Sequence, residues 1–391
     1  MGTCLVSSEP IAILFLIDYF HRTGGTEQHL AQLIRGLSGL GFRCTVVAFD
    51  MGRNPLLEGL RADGVPVIHL PVGREYVPNA LVQAWRLAAL IRRDRYDIVQ
   101  TYHQKADTYG ALTARLAGAR HLISSKRDTG ELRKPLHIFL NRRLRGLFDA
   151  FIMTADAVRT AVVARDGLPA DRVTTIHNGV DTTRFAPPTP AQRQAARARL
   201  GFAPDDFVVG MVAGFRPEKN HDVFFDGLAR AAPAIPSLRV LAVGAGELLE
   251  SYRGILTNTP LGARTVFSGA VADVVPYLWA MDVGCLTPGS NEGFSNAVIE
   301  QMATGLPMIV TDVGGNAEAV ADGVTGVVIA PQDAAALAAA LSRLRGDSRV
   351  RVAMAEASRR RVEERFSLDQ MCAAHARLYR ALARPAAGTG G

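Results

Sequence analysis

The chain is poor in cysteine and has no apolar run long enough to cross a bilayer. It also shows no interleaved aromatic and basic ladder. Its four cysteines among 391 residues, Cys4, Cys44, Cys285 and Cys372, form no C-x-x-C pair. That excludes a disulfide framework and a zinc site legible in sequence, and reads as reduced, buried thiols. The N-terminal run IAILFLIDYF is about half the ~20 apolar residues a transmembrane helix needs. No basic leader precedes it, so it reads as a buried parallel strand of a cytoplasmic protein. No cluster of metal-ligand residue types stands out, and nothing matches a nucleic-acid-binding motif.

What is present is an ordinary globular composition, 48% hydrophobic and 21% charged, long enough for two domains with full cores. The net charge of +7 is uneven. Residues 120–145 hold Arg120, Lys126, Arg127, Arg133, Lys134, Arg142, Arg143 and Arg145 against Asp128 and Glu131. Within them Leu136, Leu140, Leu144 and Leu147 recur at helical spacing. Such a segment either packs on a core with a solvated basic face or rests on an anionic membrane.

Strand-length apolar runs alternate with helical patterns. IAILFLID, CTVVAFD, VPVIHL, DIVQTY, HLISS, DAFIMTA and RVTTIHNGV make one series. FVVGMVAGF, LRVLAVGAG, RTVFSGAV, DVGCLTP, PMIVTDV and TGVVIAP make a second. The proline-rich FAPPTPAQRQ separates them and reads as a linker. This alternation predicts an α/β protein of two doubly wound parallel sheets. The expected domains are 1–183 and 184–367, with a terminal helix over 368–384 and a disordered tail at 385–391. In such sheets ligands gather at the carboxyl ends of strands.

Several loops at those ends carry chemistry. SNEGFSNAVIEQMATGLP places Glu292 before a helix and Glu300 about one turn inside it, with Ser295 and Asn296 as capping types. A helix start attracts anions, and two carboxylates beside it suit a ligand rich in hydroxyls. Arg216 and Lys219 in GFRPEKNHD suit a diphosphate, Arg by forked hydrogen bonds and Lys as a point charge. Gly24 and Gly25 precede a helix and allow close approach to a phosphate. Gly244 and Gly246 in VGAGE leave room for a base or ribose. His103 ends another strand run and is a candidate for the same cleft.

These residues together resemble the retaining family 4 glycosyltransferases. The similarity spans nearly the whole chain and rests on GGTE, HNGVDTTRFAP, GFRPEKNHD and the run from 292 to 333, in the family's order. The resemblance implies the GT-B fold, two Rossmann-like domains facing a cleft, with the last helix crossing back to the first. It also implies transfer of a sugar from a nucleoside-diphosphate donor, UDP or GDP being favoured, to a saccharide or lipid-linked saccharide acceptor in cell-surface glycan biosynthesis. No metal or other cofactor is expected. Glu292 would meet sugar hydroxyls and Glu300 the ribose. The backbone of Gly293, Phe294, Ser295 and Asn296 would hold the sugar or diphosphate. Arg216 and Lys219 would neutralise the leaving group, and Gly25 would approach it from the first domain. Where many members carry a histidine this chain reads SSKRDTG, so Lys126 or Arg127 would replace it. A nucleotide-sugar epimerase of similar fold and a non-catalytic sugar-nucleotide binder are the alternatives. The expected location is cytoplasmic, with peripheral contact at the inner face of the membrane.

Overall fold

A computed structural model of the chain describes residues 9–21, 24–73, 78–131 and 133–383. Cys4 and the tail at 385–391 lie outside the described residues. The chain divides into two compact units, Met1–His177 with Leu368–Gly391, and Asn178–Ser367.

The first unit runs β1 (Ile11–Phe20), α1 (Gly25–Ser38), β2 (Phe42–Met51), α2 (Pro55–Ala62), β3 (Val67–His69), α3 (Pro78–Asp94), β4 (Ile98–Tyr102), α4 (Ala111–Leu116), β5 (His121–Lys126), α5 (Pro135–Leu144), β6 (Ala150–Met153), α6 (Asp156–Asp166) and β7 (Val173–Thr175). Its seven strands are ordered β3-β2-β1-β4-β5-β6-β7, with parallel pairing throughout. A π-helical turn, Ala106–Gly110, leads into α4.

The second unit runs α7 (Pro190–Arg199), β8 (Phe207–Val212), α8 (His221–Ala231), β9 (Leu238–Val243), α9 (Leu249–Leu256), β10 (Thr265–Gly269), α10 (Val275–Ala280), β11 (Val283–Leu286), α11 (Asn296–Ala303), β12 (Met308–Thr311), α12 (Asn316–Ala319), β13 (Gly326–Ile329), α13 (Ala334–Gly346) and α14 (Ser348–Arg365). Its six parallel strands are ordered β10-β9-β8-β11-β12-β13. Both sheets are doubly wound, and each order reverses beside its first strand, the place where such folds bind ligands.

Burial on both faces explains why the strands read as continuous apolar runs. Along β1, Ile13, Phe15 and Ile17 pack with Leu30, Leu33 and Leu37 of α1. α15 (Leu368–Ala383) packs on α1 and seals this core with Met371, Cys372, Ala376 and Tyr379. The Tyr379 hydroxyl donates to Gln100 Oε1 at 2.6 Å, and Gln100 Nε2 donates to the Tyr102 hydroxyl at 2.8 Å. Right-handed crossovers put α3, α4, α5 and α6 on the sheet's opposite face. Cys44, Cys285 and Cys372 are buried free thiols.

The proline-rich stretch is not a free linker. Phe185 is buried, Trp279 Nε1 donates to the Ala186 carbonyl, and Arg359 donates to the Thr182 and Phe185 carbonyls. Pro190 then opens α7 behind the capping box of Thr189 and Gln192. The basic segment is also rearranged relative to the leucine spacing. Leu136 on α5 is exposed, whereas Asn141 faces inward and donates to Asp166.

Candidate functional site

In the second unit the carboxyl ends of β8 and β11 are cross-bonded. Arg216 to Asn220 form a tight 3-10 turn over Pro217–Lys219, ending at Asn220 with φ 49°. Gly289 N donates to the Glu218 carbonyl at 3.0 Å, and Thr287 Oγ1 donates to the Asn220 carbonyl at 3.2 Å. These bonds seat Lys219 against the loop before α11. Its Nζ lies 2.5 Å from Glu292 Oε2, the two side chains being 18% and 11% exposed. Arg216 is more open, 53% exposed, and its guanidinium is 3.5 Å from Glu218. A forked cation therefore stands on the rim and a point charge sits inside.

The loop holding Glu292 is braced from behind. Gly315 N donates to the Gly293 carbonyl at 2.6 Å. A Cβ on Gly314, at φ 58°, would come within 2.2 Å of the Glu292 carbonyl. That position admits only glycine. Asn178, in HNGVD, donates from Nδ2 to the Phe294 carbonyl at 2.8 Å and to Asn296 Oδ1 at 2.7 Å. Ser295 occupies the N-cap of α11 but makes no side-chain cap bond, and Asn296 is the first helical residue. Ser295 thus makes none of the capping expected of it, and Asn178, from far away in sequence, holds the helix start through its two donated bonds. Phe294 does not present its ring to a ligand. It is buried, with its centroid 5.1 Å from that of Phe366.

Glu300 is half-buried about one turn into α11, and its carboxylate has no hydrogen-bond or ion-pair partner among the described residues. Burial pushes its pKa up to about 7, and the nearby Arg184 offsets this only in part. His221 stacks on Phe215 at 4.1 Å, and burial lowers it to about 4, so it is a neutral packing residue. Gly244 and Gly246 are required by the packing of the chain's own backbone. A Cβ on either would come within 2.0 Å and 2.4 Å of the Ala213 and Phe215 carbonyls. The space they open is filled by the chain's own backbone, with Phe215 N bonded to the Ala245 carbonyl at 3.0 Å.

The first unit offers a second group of candidates. His103 follows β4 in the left-handed region, φ 71°, an uncommon state for a non-glycine residue. Its ring stacks on Tyr19 with centroids 4.5 Å apart, and its buried Nδ1 has no hydrogen-bond partner among the described residues. Burial brings His103 down to about 4, so the ring is neutral at pH 7. Asp18, at the end of β1, accepts from Lys105 N at 2.8 Å and Ala106 N at 2.6 Å, fixing the π-helical turn. Burial raises its pKa to about 7.

Lys126 cannot act as a free cation. It is 3% exposed and bonded to Asp107 at 2.6 Å, and Asp107 also accepts from Thr101 and Ser124. This correction leaves Arg127. Burial lowers its pKa to about 10, with Tyr102, Asp128 and Glu27 opposing the shift, so it stays charged. Gly24 precedes α1 with its N–H already donated to Glu27 Oε2 at 3.1 Å, and Gly25 is the first helical residue. The buried Glu27 thus takes a donor expected for phosphate. Asp18, Glu27 and Asn178 escaped sequence reasoning. An acid closing a buried strand, and the Glu and Asn inside the quoted GGTE and HNGVD, were the available signals.

Two family models match the chain, one described as Glycosyltransferase Family 4 over residues 23–184 and the other as Glycosyl transferases group 1 over 192–361. Bacillus subtilis EpsD, a candidate glycosyltransferase, is 32% identical over 45% of this chain, and the match spans about half of EpsD, 46%. The GDP-mannose-dependent alpha-(1-6)-phosphatidylinositol monomannoside mannosyltransferase of Mycobacterium tuberculosis is 27% identical over 92% of this chain and 96% of its own length. Anabaena Alr3699/HepE, solved in complex with UDP, superposes with a TM-score of 0.85 at 22% identity, covering 95% of this chain and all of that one. The likeness to HepE establishes the fold, GT-B. With models matched across both units, the chain belongs to the family 4 glycosyltransferases.

Proposed function

We propose that the chain transfers a sugar, with retention of anomeric configuration, from a nucleoside-diphosphate sugar to a saccharide or lipid-linked saccharide of cell-surface glycan biosynthesis. In this reading residues 184–367 take the donor, and residues 1–183 with 368–384 take the acceptor.

The Lys219–Glu292 pair at the start of α11 carries the reading. Cation and carboxylate satisfy each other at 2.5 Å. A sugar diphosphate brings a partner for each, phosphate oxygens for the ammonium and sugar hydroxyls for the carboxylate. The ligand can therefore separate the pair without leaving a charge uncompensated. Arg216 on the rim adds a second cation, and the first-turn N–H groups of α11 add partial positive charge. Charge that develops on the departing diphosphate meets preorganised donors, which lowers the barrier to loss of the leaving group and supplies what a metal would otherwise provide. The backbone from Gly293 to Asn296 holds the sugar and diphosphate, and Glu300 takes the ribose hydroxyls. Ribose hydroxyls donating to Glu300 favour its ionised form, against the upward pull of burial. From the first unit we assign His103 and Arg127 to the reacting sugar, the neutral ring as hydrogen-bond partner and the guanidinium as a fixed charge.

UDP and GDP are the favoured donor bases, given the UDP of the Anabaena protein and the GDP-mannose of the mycobacterial one. The test is mass spectrometry of reactions with a panel of sugar nucleotides, plus the anomeric configuration of the product by NMR and assays with and without a chelator. Transfer or slow donor hydrolysis with retention is expected, undiminished by chelation. An isomerised donor with no acceptor product would make the chain an epimerase, and no turnover with any donor would make it a binder.

A further inference from the structure

We infer that α3, α4 and α5 of the first unit form one docking surface for an anionic lipid bilayer. The inference deepens the proposed transfer to a lipid-linked acceptor and rests on that reading for its purpose, while the surface stands on exposure and charge.

Eleven large apolar side chains are exposed among the described residues, and seven of them lie on these three helices. Leu81 is 76% exposed and Trp85 70% on α3, Leu116 74% on α4, and Leu136 58% and Phe139 53% on α5. The concentration departs from the singly scattered apolar residues of an ordinary surface. Spacing decides which way they point. Leu81, Trp85, Ala89 and Arg93 recur every four residues along α3 and are all exposed. Leu136, Phe139 and Arg143 share a stripe on α5, with the Arg143 guanidinium 5.2 Å from the Phe139 ring. The helices are fixed side by side. The Tyr109 hydroxyl donates to the Ala80 carbonyl of α3, Gln104 donates to Asn141 of α5, and Arg115 of α4 donates to the Leu147 carbonyl.

Charge selects the occupant. The three helices and Lys134, the N-cap of α5, carry seven Lys and Arg against a single acid, Asp94, which is paired with Arg93 at 2.6 Å. Arg86, Lys134 and Arg143 are exposed and make no ion pair among the described residues. A second copy of the chain would bring like charges face to face, which disfavours self-association. An anionic leaflet complements the cations and accepts the leucines and Trp85 at its acyl boundary.

The surface differs from the one implied by the basic segment alone. Of that segment, Arg120 pairs with Asp97, Lys126 with Asp107 and Arg133 with Asp128, so these charges are held within the unit. α3 and α4, which have no part in that segment, supply most of the exposed apolar residues.

The test is co-sedimentation of the full chain with vesicles of phosphatidylcholine, with and without phosphatidylglycerol, at low and high salt. Trp85 emission is read in a Trp279→Phe background. Binding to the anionic vesicles alone, release as salt rises, and a blue shift of Trp85 are expected. The pair Leu136→Ser and Phe139→Ser removes two side chains, each worth on the order of tenfold in partitioning when buried. It should lower low-salt binding at least tenfold. The set Arg86→Gln, Lys134→Gln and Arg143→Gln should lower low-salt binding at least tenfold, each cation contributing about fivefold. All these positions are exposed, so circular dichroism and donor hydrolysis should match wild type. Absence of wild-type binding to anionic vesicles, or unaltered binding by either set, would overturn the inference. So would a lipid-free dimer that the same substitutions dissolve in sedimentation velocity. Vesicle binding by a chain that turns over no sugar nucleotide would overturn the transferase reading and leave this surface standing.

Discussion

Replacing Lys126 by methionine should destabilise the first unit and leave catalysis nearly intact. Lys126 Nζ and Asp107 Oδ2 are 2.6 Å apart, with side chains 3% and 2% exposed. Asp107 also accepts from Thr101 Oγ1 at 2.5 Å and Ser124 Oγ at 2.7 Å. Methionine keeps the length and apolar packing of the lysine stem and removes only the countercharge. Breaking a buried pair from one side costs roughly 3–5 kcal/mol, because the remaining charge is left without compensation. The two hydroxyls stay in place and partly support the carboxylate, so a cost near ~3 kcal/mol is expected. For a unit of about 200 residues each kcal/mol moves Tm by about 2–4 °C, giving a fall of about 10 °C. Calorimetry reads this directly. A Lys126→Met chain that also carries Asp107→Asn keeps the volume and one acceptor for the hydroxyls without an orphan charge, and should recover more than half of the loss. Turnover below the variant's melting range should stay within a few-fold of wild type. A wild-type Tm with turnover abolished would refute the reasoning and return Lys126 to the reacting centre.

Lys219→Ala and Arg216→Ala should each lower kcat/KM at least tenfold if, as proposed, each stabilises charge on the leaving diphosphate. Wild-type rates in folded variants would remove both from the site. Glu300→Gln should weaken binding of the nucleoside diphosphate itself, while Glu292→Gln affects mainly the intact donor. Calorimetric titration with both ligands checks the split, and equal losses for both ligands in both variants would refute it. Glu300→Gln carries a second signature. Its folded pKa of about 7 lies above the unfolded value, so its contribution is fully present below about pH 4.5 and is lost as pH rises through 7. The substitution should therefore raise the ligand-free Tm at pH 8 and leave it unchanged at pH 4.5. His29 and His375 run the other way. Burial holds His29 well below its ordinary value and His375 at about 4, and their rings lie 5.6 Å apart between α1 and α15. Both stay neutral when folded and protonate near 6.5 when unfolded, so stability should fall as pH drops from about 6.5 toward 4. Replacing both by leucine should flatten that slope, and an unchanged slope in urea melts would place the acid sensitivity elsewhere.

The strands were legible because parallel strands buried on both faces must be apolar along their whole length, and turn residues mark their ends. IAILFLIDYF and PMIVTDV both became strands of parallel sheets for that reason. α14 was not legible, because SRVRVAMAEASRRRVEER shows no clean apolar stripe, and only Met354, Ser358 and Val362 are buried. Glu292 and Lys219 could be proposed from strand-end position, which depends on local pattern. Their mutual bond could not, since it joins loops 73 residues apart. The same limit explains Lys126. Its residue type announces a cation, whereas its burial is decided by Asp107 on a turn that sequence pattern does not orient. The leucine spacing gives a helix at α5, yet period alone does not say which stripe faces inward, and the inward one holds Asn141.

Asn178 shows what such long-range bonds do. A helix start beside Glu292 is useful only if its orientation is fixed, and Ser295 does not cap it. Asn178 supplies that restraint from 118 residues away, donating to both Phe294 O and Asn296 Oδ1. Its neighbour Val180 pairs with Ser367 just after α14, so the first and last segments of the second unit are pinned together beside this helix. The loop holding Glu292 is therefore held by the ends of its own unit, not by the local capping chemistry that its sequence advertises.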